Sequence, residues 1–180
     1  PIMSKMLYFY NSEPRMNKPY FKKILYLGVL FFLFSCERDD ICIVTTTESP
    51  DLVLLMLDKD NTNQTRTPAG FSIRALGTEK NLATQPSDSF ALPLKIQENF
   101  IQFEFILNQG TENENIDTLQ INYQRFDKFI NAACGYRSNY ILEARPVLIL
   151  NPGDNWIQGF TILKDTITEN ENRAHLGILH

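Results

Sequence analysis

Ile101-Gln102-Phe103-Glu104-Phe105 alternates apolar and polar residues at every position. In an extended chain successive side chains point to opposite faces, so this stretch turns three apolar groups inward and leaves Gln102 and Glu104 in water. Leu119-Gln120-Ile121-Asn122-Tyr123 repeats the pattern. Between the two lies the polar turn Thr111-Glu112-Asn113-Glu114-Asn115, so the runs are expected to pair as a β-hairpin with a long loop.

Working outward, Leu52-Val53-Leu54-Leu55-Met56-Leu57 is apolar on both faces, as a central strand covered on each side would be. Asp58 to Gln64 and Thr67-Pro68-Ala69-Gly70 form a polar loop before Phe71-Ser72-Ile73-Arg74-Ala75-Leu76, a second strand. Residues 90–94, 140–142, 146–150, 156–163 and 174–179 read as further short runs, with Pro146 at a strand start where its missing N–H does least harm. Residues 125–133 are ambiguous: Phe126, Phe129 and Ile130 have helical spacing, but the segment is short and flanked by strands. The pentapeptide of residues 111–115 recurs at 168–172 without matching flanks, which is turn composition rather than a duplicated unit. Many short runs separated by polar turns predict an all-β fold, an immunoglobulin-like β-sandwich of about seven to nine strands over residues 51–180.

Of 180 residues, 43% are hydrophobic and 21% charged, enough apolar material for one core. Residues 1–35 carry five basic residues (Lys5, Arg15, Lys18, Lys22, Lys23) against Glu13, so twelve basic and twenty acidic residues remain from Cys36 onward, a net charge of -8. An acidic domain with no basic cluster along the chain is repelled by phosphate, which argues against nucleic acid and against docking on anionic lipid by charge. Membrane attachment is therefore expected through lipid alone.

From Met16 to Cys36 a basic start (Lys18, Lys22, Lys23) precedes an eleven-residue apolar run, residues 24–34, and then Ser35-Cys36. That is the order of a cleaved secretory signal peptide, and the run is short of the roughly 20 residues a spanning helix needs, so an uncleaved anchor is the weaker reading. Leu33-Phe34-Ser35-Cys36 resembles the lipobox of bacterial lipoproteins, with Phe34 departing from the usual small residue. The resemblance implies that residues 1–35 are a leader and that Cys36 is acylated and becomes the first residue of the mature chain. The chain opens on Pro1, and of Met3, Met6 and Met16 the last places the basic residues where a signal peptide needs them, so residues 1–15 are expected to be untranslated. Two or three acyl chains make a durable anchor, because each buried methylene contributes about 0.8 kcal/mol and one chain alone holds only marginally. Residues 36–50 then form the lipidated N-terminus and tether.

With Cys36 taken by lipid, Cys42 and Cys134 remain, and in an oxidising compartment they are expected to pair; two unpaired buried thiols are the alternative. Closing so long a loop would contribute on the order of 4 to 5 kcal/mol in the chain-entropy model. Six residues from Cys36 to Cys42 span at most about 20 Å, which would hold the domain close to its membrane.

Catalytic constellations are weak. The two histidines are His175 and the terminal His180, and neither sits in a Ser-His-Asp pattern. Asp58-x-Asp60-x-Thr62 has the opening of a calcium loop, but Asn63 replaces the turning glycine and Ala69 the bidentate glutamate, so a solvated turn is expected and no metal or other cofactor. Trp156, Tyr136, Tyr140 and Phe160 could line a cleft, although aromatics in strands are usually core. Glu37, Asp39 and Asp40 form an acidic stretch like the surface-export signal of Bacteroidota-type lipoproteins, diluted by Arg38. Asp117-Thr118-Leu119 and Asp165-Thr166-Ile167 resemble the O-glycosylation acceptor of the same bacteria, which would make Thr118 and Thr166 the modified residues.

The lipobox, Glu37-Arg38-Asp39-Asp40-Ile41-Cys42 after it, Cys134-Gly135-Tyr136 and a terminal strand together resemble an uncharacterised family of small Bacteroidota lipoproteins, a domain of unknown function. The resemblance implies a location and supports the cysteine pairing without supplying a mechanism. The expectation is a non-enzymatic lipoprotein of the outer membrane, facing periplasm or cell surface, that binds another envelope protein; a structural or assembly subunit of a cell-surface complex is the alternative.

Overall fold

The computed structural model describes residues 23, 42, 48–83, 87–151, 153–168 and 173–180. The chain divides into two units, residues 1–39 and 40–180. In the first, Lys23 is helical and exposed. In the second, the described regular elements are ten strands: β1 (Leu52–Leu57), β2 (Ser72–Ala75), β3 (Asn81–Ala83), β4 (Ser89–Leu92), β5 (Phe100–Leu107), β6 (Asn115–Asn131), β7 (Gly135–Ile149), β8 (Gly159–Ile162), β9 (Thr166–Ile167) and β10 (Leu176–Leu179). They form a four-stranded sheet in the order β4-β1-β10-β8 and a six-stranded sheet in the order β3-β2-β5-β6-β7-β9.

The sandwich follows from the alternation. Phe103 and Phe105 of β5, with Leu119 and Ile121 of β6, are fully buried and share one apolar cluster with Leu52, Leu54 and Met56 of β1 and Leu176 and Ile178 of β10. Burial of so many large apolar side chains, at about 1.5 to 3 kcal/mol each, is what opposes the chain entropy of ordering the two sheets. The hairpin of residues 101–123 forms as expected, in register from Phe100↔Asn122 to Leu107↔Asn115. On its outer face Gln102 donates to Gln120 at 2.9 Å, Gln120 donates to Asn122 at 2.8 Å, and Glu104 pairs with Arg74. Gln102 and Glu104 are thus half-buried in a polar ladder across three strands rather than simply hydrated.

The structure corrects the sequence in five places. Ten strands form, where seven to nine were expected, because β3 and β9 are edge elements of three and two residues, too short to carry a periodic signal. β1 is central, paired antiparallel with β4 and parallel with β10, but only its Leu52, Leu54 and Met56 face is fully covered; with two layers, Val53 and Leu55 stay half-buried on the outside. The ambiguous residues 125–131 are strand, the continuation of β6. The runs at 140–142 and 146–150 are one strand with a bulge: Ile121↔Val147 is followed by Tyr123↔Leu142, so residues 143–146 lie opposite Asn122 alone, and Pro146 lies inside this bulge instead of at a strand start. A bulge spares Pro146 a ladder hydrogen bond it has no N–H to make. Finally, Trp156 precedes β8 and His175 precedes β10.

Gly70 holds the β2 entrance against the β5–β6 turn. Its φ is +53°, and a Cβ there would come within 2.9 Å of the Cα of Asn108, so only glycine fits. The turn itself closes through Asn108 at φ +52° and an N–H of Gly110 donated to Glu114 at 2.7 Å.

Candidate functional site

β5 stops pairing with β6 at Phe100↔Asn122, yet β6 and β7 continue together. Past that point the two strands form a ribbon, touched from the side by β9 only at Tyr140 and Ile141. A two-stranded ribbon is marginal in water without further support. Its base is packed: Tyr123 and Tyr140 are fully buried with ring centroids 5.3 Å apart, edge to face. The Tyr123 hydroxyl donates to the Lys95 carbonyl at 3.0 Å and accepts from the Lys95 N–H at 2.9 Å, and Arg125 donates to the Ile96 carbonyl. Burial pushes the Tyr123 phenol up to about 12 and raises Tyr140 as well.

The far end of the ribbon is held covalently. Cys134 sits in the tip turn and is disulfide-bonded to Cys42, with Cα atoms 5.1 Å apart. Asn131 accepts the Cys134 N–H at 2.7 Å through its side chain, and Gly135 takes φ +68° to bring the chain into β7.

Between base and tip the cross-strand pairs are Asp127↔Ser138, Lys128↔Arg137 and Phe129↔Tyr136. The Phe129 and Tyr136 rings meet edge to face at 5.3 Å, although Phe129 is 56% and Tyr136 70% exposed. Asp127 is answered by Arg125 at 3.4 Å and by the Ser138 hydroxyl at 2.9 Å. Arg137 donates to the Thr168 carbonyl at 2.5 Å and to the Asn139 side chain at 3.2 Å. Lys128, directly opposite Arg137, forms no ion pair among the described residues. The end of the ribbon thus carries two cations on one face and two aromatic rings on the other, all drawn from residues 125–139.

A second concavity lies at the β7 bulge. It is a cavity of about 260 Å³ lined by Ala144, Arg145, Pro146, Val147, Phe160, Ile162 and Leu176. The walls are apolar apart from Arg145, so it offers shape and one cation but no acid, base or nucleophile.

The other residues singled out by sequence are scattered. Cys36, Glu37, Asp39 and Asp40 lie outside the described residues. Thr118 is half-buried in β6, its N–H donated to Asn151; the flanking Asp117 is fully buried and accepts from the Ile157 N–H and the Asn155 side chain, both at 2.8 Å. Thr166 donates its hydroxyl to Asp165 at 2.8 Å. Asp58 accepts from the N–H groups of Asp60 and Asn61, which holds its carboxyl below the usual range and makes the acidic triplet a solvated turn. His175 is fully buried; its Nδ1 accepts from the Val53 N–H at 3.0 Å while its backbone N–H donates to the Val53 carbonyl, which ties β1 to the start of β10. Trp156 packs on Phe71 and donates to the Phe105 carbonyl, Tyr140 is core, Phe160 lines the cavity and Tyr136 is at the tip, so the four aromatics do not share a cleft. Among the described residues no three His, Cys, Asp or Glu side chains are grouped to hold a metal, and no helix is long and apolar enough to cross a membrane.

No curated protein and no solved structure matches the chain. Residues 70–180, β2 to β10, match the model of a family of unknown function, and the chain belongs to that family, DUF6452.

Proposed function

We propose that the chain is a bacterial envelope lipoprotein, acylated at Cys36 and non-enzymatic, whose β-sandwich serves as a binding or accessory domain for another envelope protein at the outer membrane. The observation that carries this reading is the Cys42–Cys134 bond. It joins the tip of the ribbon to Cys42, six positions after Cys36, so that an acyl chain on Cys36 would limit how far the tip can stand from the membrane. A chain whose own staple lies that close to the acylated residue is suited to work beside the membrane, not to search at a distance from it.

The test is to express the full chain in a bacterium that processes lipoproteins, with an alkyne-tagged fatty acid in the medium. The tag is expected on the native chain, which should enter the detergent-rich phase of a Triton X-114 partition, and not on Cys36→Ser. Untagged native chain in the aqueous phase would overturn the anchor. Crosslinking in intact cells separates the accessory role, with one stoichiometric partner, from a structural subunit, which would give ladders of self-linked chain. The structural role draws support from β8, an outer strand of its sheet with Ile162 and Leu163 exposed beside it.

A further inference from the structure

We infer that the tip of the β6–β7 ribbon is a membrane foot, in which Phe129 and Tyr136 sit at the headgroup boundary of the bilayer and Lys128 and Arg137 face its anionic phosphates; this rests on the acyl anchor at Cys36. Four observations carry it. The first is charge. Residues 125–139 hold Arg125, Lys128 and Arg137 against Asp127 alone, a net +2, while the rest of the chain from Cys36 onward has nine basic and nineteen acidic residues. A negatively charged surface attracts this end and repels the remainder, which orients the domain foot-first. Second, Lys128 and Arg137 are directly opposed across the ribbon, and the hydrogen bonds of Arg137 go to neutral acceptors, the Thr168 carbonyl and the Asn139 side chain, so the two like charges cost energy unless an anion lies near them. Asp127, the near carboxylate, is already taken by Arg125 and Ser138.

Third, the order of residues along the ribbon matches the order of layers in a bilayer surface. The aromatic pair is nearer the tip, and the cations are one residue, about 3.3 Å, further back, level with phosphates when the rings enter the interface. Phe129 and Tyr136, at 56% and 70% the most exposed large apolar side chains among the described residues, have an apolar body to place and, for Tyr136, a hydroxyl to keep wet. Fourth, the disulfide holds this tip within about 20 Å of Cys36 along the extended chain, inside the reach of the surface that acyl chains on Cys36 would occupy.

The experiment uses the full chain carrying Phe129→Trp, expressed with its leader, purified and reconstituted in vesicles of phosphatidylethanolamine and phosphatidylglycerol with or without brominated acyl chains. The native chain supplies the background, because Trp156 packs against Phe71 inside the domain. Bromination is expected to quench the emission of the introduced indole about twofold and leave the native emission unchanged, as for an aromatic at the interface. Lys128→Glu with Arg137→Glu in the same background should remove that quenching. Tyr136→Trp gives a second reporter should the first chain fail to fold. Intact mass reports acylation independently. An acylated, vesicle-bound chain with an unquenched indole overturns the foot, leaves the anchor standing and redirects the patch to a protein partner. An unacylated chain that neither pellets with vesicles nor is quenched overturns both, whereas an unacylated chain that binds and is quenched overturns the anchor alone.

Discussion

Asp117 has no solvent exposure, and its two oxygens accept from the Ile157 backbone and the Asn155 side chain. It therefore belongs to the scaffold, pinning the strand-poor loop before β8 onto β6, whatever becomes of Thr118 beside it. Tyr123 is another buried group with a structural duty, since it fills the ribbon's base and closes the 95–100 loop. Its phenol is pushed up to about 12, above the ordinary value near 10, chiefly because burial disfavours the phenolate. A group whose folded pKa is raised contributes stability that is complete below the unfolded pKa and is lost as pH rises through the folded one. The melting temperature is therefore expected to fall steeply between pH 10 and about 12, and circular dichroism melts across that range should show a shallower fall for Tyr123→Phe. Parallel curves for the two chains would mean that another group controls alkaline unfolding.

The ribbon is an element that its own length destabilises, and the disulfide compensates. The loop closed between Cys42 and Cys134 has a separation of 92 residues, for which the chain-entropy model gives on the order of 4 to 5 kcal/mol. Replacing both cysteines by serine is expected to lower the unfolding free energy by about that amount in urea titrations, 2 kcal/mol being the floor typical of native disulfides. Hydrogen exchange localises the effect: amides of residues 125–139 should lose protection furthest, while those of β1 and β5 lose no more than the fall in global unfolding free energy takes from them. Uniform loss of protection would show that the staple holds the whole domain and not the ribbon.

For the molecule as a whole, the first strand is decisive. The family match begins at Gly70, whereas β1 ends at Leu57 and forms the middle of its sheet, with β4 on one side and β10 on the other. Leu52, Leu54 and Met56 are fully buried, so their loss would open a cavity across the core. A chain starting at Gly70 is expected to be unfolded, with no cooperative melt and no dispersed amide spectrum, and one starting at Glu48 to fold. A folded fragment from Gly70 would show that β10 and β4 can close without β1.

Much of this was legible from residues alone. The alternation at 101–105 and 119–123, the apolar run at 52–57 and the polar turns between them report local side-chain direction, which depends only on neighbours in the chain; hence the β-sandwich, its β5–β6 hairpin and its central strand could be read directly. The expectation of an acyl anchor rests on the resemblance of residues 33–36 to a lipobox, which is a linear signal. Other features depend on residues far apart. The bulge that takes Pro146, the edge strands β3 and β9, and the structural uses of Asp117 and His175 are set by partners up to 122 residues away. The clearest case is the ribbon: along the chain its cations are spread over residues 125–137 and look dilute, and only antiparallel pairing, which folds one strand back on the other, brings Lys128 opposite Arg137 and Phe129 opposite Tyr136 at the end that Cys42 holds.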